Sequence, residues 1–89
     1  MIVKFLKFKM MENAVFNISF VCEGRQFNGW VNPSDKLNDE GNPVSFHVVL
    51  NDVSLGYMSF RDCNWTINED RPRALVLAAG REIEKHYAF

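Results

Sequence analysis

Two similar hairpin signals, each a two-residue turn between runs of alternating apolar residues, constrain this chain more than any other feature. The turns are Glu23-Gly24 and Asn51-Asp52. Glycine takes positive φ at little cost, and asparagine and aspartate tolerate it, as two-residue hairpin turns require. An amphipathic pattern over residues 71–87 then predicts a helix after the second hairpin. We therefore expect an α+β fold.

The first hairpin has a register that its own hydrophobic pattern supports. Side chains alternate along a strand, so the strand predicted over residues 14–22 places its even-numbered apolar residues on one face. Pairing around the turn sets Phe20 opposite Phe27 and Phe16 opposite Val31, all on that face. Because the turn and the pattern agree, the sequence predicts an antiparallel pair with this register.

The second hairpin is predicted with an uninterrupted alternation. Its first strand, over residues 44–50, directs the even-numbered side chains inward. We expect three inward pairs across it: Leu50–Val53, Val48–Leu55 and Phe46–Tyr57. A polar segment over residues 32–43 joins the two hairpins, and a loop of this length is often mobile or functional.

The helix pattern completes the predicted fold. Asp70 is a candidate N-cap, and Pro72 suits the first turn, where a missing N–H costs nothing. We expect Trp65 and Ile67 to anchor the crossover that precedes the helix. One apolar stripe runs along the helix at steps of four: Leu75, Ala79, Ile83 and Tyr87. The sequence thus predicts a four-stranded antiparallel β-meander (two hairpins) with one C-terminal α-helix packed on one sheet face.

Glycines and arginines add two local expectations. Gly29 and Gly56 lie inside predicted strands, where glycine marks a bulge or a large cross-strand neighbour. Arg71 and Arg73 flank the proline at the helix start, where cations oppose the helix dipole. We expect the acidic residues just before them to offset that cost, and an acidic partner is the alternative.

Length and charge indicate one small domain preceded by a separate N-terminal extension. At 89 residues the chain suits a single domain over residues 11–89, preceded by an extension over residues 1–10. That extension is predicted to be an added strand or an arm, or else not part of the native domain. Without its lysines, Lys4, Lys7 and Lys9, seven basic residues face eleven acidic ones, a charge of −4. Such a balance disfavours binding to nucleic acid.

The sequence predicts a cytoplasmic protein without a membrane span. No apolar run approaches the roughly 20 residues that cross a bilayer. The start lacks the continuous apolar region and small-residue cleavage site of a secretory signal. The two cysteines, Cys22 and Cys63, are too few for a disulfide scaffold. We expect Cys22 to be a buried small hydrophobe, while Cys63 lies in a polar loop.

The outer face of the predicted sheet is the candidate functional surface. A sheet covered by a helix on one side should be polar on the other. Here several apolar residues share the outward parity with serines and asparagines. Contiguous exposed rings and methionine are typical of contact surfaces, where a few large side chains carry most of the binding energy. The predicted partner-binding residues are Trp30, His47, Val49, Met58 and Phe60.

These observations favour a small non-enzymatic protein–protein interaction module, acting as a regulator, inhibitor or adaptor. A homodimer through the same face is one form of this hypothesis, and a cover formed by residues 1–10 is the structural alternative. A different class of function is a small ligand-binding or enzymatic domain, with a pocket between residues 32–43 and the helix.

The sequence contains no recognisable catalytic, cofactor or metal motif. The histidines and cysteines are dispersed along the chain, unlike the short paired spacings that hold zinc. No glycine-rich phosphate loop, nucleophile elbow or dinucleotide fingerprint occurs. The outer face carries no lysine or arginine at the predicted strand centres, whereas sheets that stack single-stranded nucleic acid place basic residues beside their rings. We therefore expect no cofactor, no metal and no nucleic-acid partner.

Overall fold

Five antiparallel strands and one helix form an α+β fold in the computed structural model, which describes residues 14–87 and residue 89. The strands are neighbours in chain order and form one curled sheet. The elements are β1 (Phe16–Cys22), β2 (Arg25–Pro33), β3 (Phe46–Leu50), β4 (Val53–Arg61), β5 (Asn64–Ile67) and α1 (Arg73–Glu84). The α+β meander is confirmed, but the described residues contain one strand more than predicted. The predicted extension, residues 1–10, lies outside the described residues.

The first hairpin has the predicted register. Phe20 pairs with Phe27, and Phe16 pairs with Val31. Glu23 and Gly24 have φ of 51° and 79°, both in the left-handed region that a two-residue turn of this kind requires. The agreement follows from two independent constraints, the turn and the hydrophobic alternation, that demand the same pairing.

The second hairpin has the predicted turn but a different register. Val53 pairs with Leu50 and Ser54 with Val49, yet Val48 then pairs with Gly56. Leu55 is therefore an extra residue, and the strand contains a β-bulge at this point. Gly56 has a φ of 135°, a conformation that side-chain-bearing residues rarely adopt, so the glycine permits the bulge.

The bulge exchanges the two faces for the rest of β4. Phe46 pairs with Met58, and Tyr57 lies on the outer face opposite His47. The predicted Val48–Leu55 and Phe46–Tyr57 pairs are therefore wrong. One inserted residue moves every later side chain to the other face because side chains alternate with a period of two.

Strand β5 replaces the predicted polar crossover. Asp62 and Cys63 form a third two-residue turn, with φ of 52° and 59°. The next strand pairs with β4 and directs Trp65 into the core, where it is fully buried. Trp65 and Ile67 anchor this segment to the core as predicted, but as members of a strand. A run of only four residues carries a weak periodic signal, so the sequence pattern does not predict this strand.

Helix α1 packs on the inner face of the sheet and closes the core. Its buried residues include Val76, Ala79 and Ile83. They join a cluster from all five strands: Ile18, Phe27, Val31, Phe46, Val48, Leu50, Leu55, Met58 and Trp65. Burial of these side chains from both layers provides the main stabilising term of the fold.

The helix start is held by arginines rather than by a side-chain cap. The residue before the helix is Pro72, and no side-chain hydrogen bond caps the first turn, so the predicted Asp70 cap is wrong. Arg71 donates from Nε to the Leu55 carbonyl at 2.8 Å, and Arg73 donates to the Trp65 carbonyl. These bonds tie the approach to α1 to strands β4 and β5. They account for the positions of both arginines at the helix start without an ion pair to an acidic neighbour.

Replacement of Gly80 by alanine should destabilise the protein, although alanine is the better helix former. A Cβ at Gly80 would lie 2.5 Å from two atoms of the Trp65 indole ring. The ring cannot move freely, because it is buried and its Nε1 donates to Glu84 Oε2 at 2.7 Å. We expect a net loss of about 2 kcal/mol in urea unfolding, against a propensity gain of about 1 kcal/mol. In a Trp65→Phe background the same Gly80→Ala change should cost less, because the smaller ring leaves room for the Cβ; a stabilising Gly80→Ala would contradict this packing.

Candidate interaction surface

Three rings form a row across the central strands of the outer face. We call Trp30, His47 and Tyr57 the aromatic row. The rings of Trp30 and His47 meet edge to face at 5.6 Å, and those of His47 and Tyr57 stack at 4.6 Å with an interplanar angle of 15°. Trp30 is 37% exposed and Tyr57 is 52% exposed. Among the described residues, no helix lies over this face.

Neutral polar side chains surround the aromatic row. Several are already joined to one another: Ser19 Oγ donates to Asn28 Oδ1 at 2.7 Å, and Gln26 Nε2 donates to Ser19 Oγ at 2.9 Å. Others with the same orientation are Asn17, Asn32, Ser54, Ser59 and Thr66. Amides and hydroxyls both donate and accept hydrogen bonds, and they carry no charge. The centre of the outer face is therefore aromatic, and among the described residues it carries no Asp, Glu, Lys or Arg.

The structure brings three of the five predicted partner-binding residues together on this face. Trp30 and His47 belong to the aromatic row, and Val49 lies beside Trp30 but is almost fully buried there. Met58 is fully buried in the core, and Phe60 is half-buried and packs against it. The predicted outward orientation of Met58 and Phe60 is wrong because of the bulge.

Tyr57 is the exposed ring that the sequence reasoning missed. An uninterrupted alternation along β4, as the sequence predicts, places Tyr57 in the core. The available signal was Gly56, since a glycine inside a strand can mark a bulge. A bulge at that glycine moves Tyr57 outward and Met58 inward, as the structure shows.

His47 also contacts a hydroxyl on the neighbouring strand. Its Nε2 lies 2.9 Å from Ser54 Oγ, which is the geometry of a nucleophile and its base. A catalytic pair of this kind needs a third group that orients the imidazole. No carboxylate of the described residues hydrogen-bonds His47. The pair is an exposed cross-strand contact that fixes the orientation of the His47 ring.

Two clefts border the polar segment between β2 and β3. One of about 280 Å³ adjoins the aromatic row and is lined by Asn32, Pro33, Ser34, Asp35, Ser45, His47 and Tyr57. The other, of about 430 Å³, is lined by Asn38, Pro43, Val44, Ser59, Phe60, Arg61 and Asp62. Residues of β2, β3 and β4 also line these clefts. Neither cleft includes a residue of α1, whereas the sequence predicts a pocket between residues 32–43 and the helix.

Residues 14–87 and 89 contain no group of three or more histidines, cysteines, aspartates and glutamates that could hold a metal ion. Within the same residues, no helix is both long and apolar enough to cross a membrane. Cys22 is half-buried and Cys63 is exposed, and both thiols are free.

Comparisons with protein-family models, with curated proteins and with solved structures find no match to this chain.

Proposed function

We propose that this protein is a small non-enzymatic interaction module that binds protein through the outer face of its sheet. The observation that carries the proposal is the aromatic row, three contiguous rings that no helix of the described residues covers. Exposed Trp and Tyr side chains are the usual anchors of protein interfaces, because they bury a large area with few rotatable bonds. Regulator, inhibitor and adaptor are the roles that such a module serves.

The polar side chains around the aromatic row support a role in binding a partner, rather than chance exposure of three rings. Asparagine and serine supply adaptable hydrogen bonds around rigid rings, which is the composition of antibody binding surfaces. Here Asn28, Ser19 and Gln26 form a hydrogen-bonded group beside Trp30 on the same face. An apolar centre within a polar rim is also the common anatomy of protein interfaces.

A second copy of the chain is the partner that fits the chemistry of this face best. A two-fold dimer brings the same patch of both subunits together, so the patch must be complementary to itself. Rings stack on rings, and amides and hydroxyls pair with their own kind because each both donates and accepts. Among the described residues, the centre of the face carries no Asp, Glu, Lys or Arg, so these side chains cause no like-charge repulsion between two copies there.

Light scattering across a dilution series of the full chain tests the proposal. We expect a mass of twice 10.3 kDa at high concentration. Trp30→Ala should weaken dimerisation about thirtyfold, the effect of losing a 2 kcal/mol anchor, and Tyr57→Ser should weaken it in the same direction. Val53→Ser is the matched control, because Val53 is 65% exposed but lies outside the outer face.

A monomer at every concentration would contradict the homodimer and leave a different protein as the partner. That case is tested by a photo-crosslinking residue placed at Asn28, on the outer face, and separately at Val53. Crosslinked protein from position 28 alone supports the proposal. Equal crosslinking from both positions, or from neither, would contradict the outer face as the binding surface.

A further inference from the structure

A third cleft lies on the inner side of the sheet, where the turn ends of the two hairpins meet the start of α1. Its volume is about 280 Å³. The lining residues are Arg25, Phe27, Leu50, Asn51, Val53, Ser54, Leu55, Arg71 and Leu75. This cleft is separate from the aromatic row, and the proposed interaction function does not use it.

The floor of the cleft is apolar and rigid. Phe27, Leu50 and Leu55 belong to the core cluster and are nearly fully buried, while Leu75 of α1 packs against that cluster. Side chains of a packed core keep their positions, so the floor exists before any ligand arrives. It offers apolar contact to a molecule that enters from the rim.

The rim of the cleft is cationic. Two hydrogen bonds to the backbone orient Arg71. Its Nε donates to the Leu55 carbonyl at 2.8 Å, and its Nη2 donates to the Ser54 carbonyl at 3.3 Å. These bonds leave part of its five N–H donors free. The Arg25 guanidinium lies 5.0 Å from the centre of the Phe27 ring, a cation–π contact that places it over the floor.

No carboxylate forms an ion pair with this rim within the described part of the chain. No carboxylate lines the cleft, and neither arginine forms an ion pair with a described residue. Glu23, Asp52 and Asp70 are close in sequence but lie beyond ion-pair distance. Two guanidinium groups over an apolar floor are complementary to a molecule with one anionic end and one apolar end.

We propose that this cleft binds a small amphipathic carboxylate. The carboxylate accepts hydrogen bonds from Arg25 and Arg71, because the planar guanidinium matches two carboxylate oxygens. The apolar body then lies on Phe27, Leu50 and Leu55. The volume is just below the usual range for small-molecule sites, about 300–1,000 Å³, so a ligand of medium-chain fatty-acid size is favoured over a larger one.

Titration of the isotope-labelled full chain with sodium octanoate, followed by amide NMR shifts, tests this proposal. We expect one saturable site, with the largest shifts at Leu50, Leu55 and Leu75. Hexanoate should bind about fifteenfold more weakly, since each of two missing methylenes reduces affinity about fourfold. Octan-1-ol should bind more weakly than octanoate because it lacks the anionic end.

Two exposed valines provide a matched pair of variants for this test. Val53→Glu places a carboxylate at the cleft beside the two arginines, and we expect octanoate affinity to fall tenfold or more. Val21→Glu adds the same charge to a valine of similar exposure, 63% against 65%, on the outer face, and should leave affinity within twofold. Thermal unfolding of both variants confirms that each is folded.

Four results would overturn the proposal. Octan-1-ol that binds as tightly as octanoate would show that the arginines do not recognise the anion. Equal effects of Val53→Glu and Val21→Glu, or shifts centred on Trp30, would place binding elsewhere. Absence of saturation at millimolar octanoate would show that the cleft is not a site for this class of ligand.

Discussion

Replacement of Gly29 by alanine should lower the free energy of unfolding by about 3 kcal/mol or more, enough to unfold much of the protein. Gly29 lies in β2 between Ile18 of β1 and Leu50 of β3. A Cβ added there would lie 2.8 Å from the Val49 carbonyl carbon and 3.0 Å from Leu50 Cα, and nearer still to the Val49 carbonyl oxygen. These are backbone atoms, so the overlap is relieved only by moving β2 and β3 apart.

Urea unfolding measures this effect, and Gly24→Ala provides the control. Gly24 has a φ of +79° but nothing within 4 Å of the position that a Cβ would occupy. Its replacement therefore costs only the left-handed conformation, about 1–2 kcal/mol. If Gly29→Ala were no more destabilising than Gly24→Ala, the close approach of β2 and β3 at this glycine would be disproved.

The first hairpin could be predicted from sequence because several weak signals agreed there. The Glu23-Gly24 turn and the alternation around it required the same register, which the structure has. The second hairpin lacked such agreement. Residues 57, 58 and 60 are all large and apolar, so either face assignment after Gly56 satisfied the hydrophobic pattern. Only the backbone conformation at Gly56 decides between the two assignments.

The candidate surface was predicted in part for the same reason. Trp30 and His47 precede the bulge along the meander and were placed correctly on the outer face, whereas Tyr57 and Met58 follow it and were exchanged. The cationic cleft could not be predicted at all. Arg25 and Arg71 are far apart in sequence, and their approach depends on how α1 crosses the ends of the hairpins. Side chains that meet through tertiary packing leave no local pattern in the chain.

Met58→Asp should unfold the protein, whereas Tyr57→Asp should cost only about 1 kcal/mol. Met58 is fully buried opposite Phe46, so an aspartate there places an unpaired charge in the core. Tyr57 is 52% exposed, and its replacement loses a stacked contact with His47 while the new carboxylate stays in water. We expect the first variant to lose more than 4 kcal/mol and to give the circular dichroism spectrum of an unfolded chain.

The paired variants separate the two possible registers of β4. With an uninterrupted alternation, Tyr57 would lie in the core and Met58 would face solvent, so Tyr57→Asp would be the damaging change. The bulge predicts the reverse order, because Leu55 is inserted opposite Val48 and moves both later residues to the other face. A folded Met58→Asp variant beside an unfolded Tyr57→Asp variant would therefore contradict the bulge, and with it the aromatic row on which the proposed function depends.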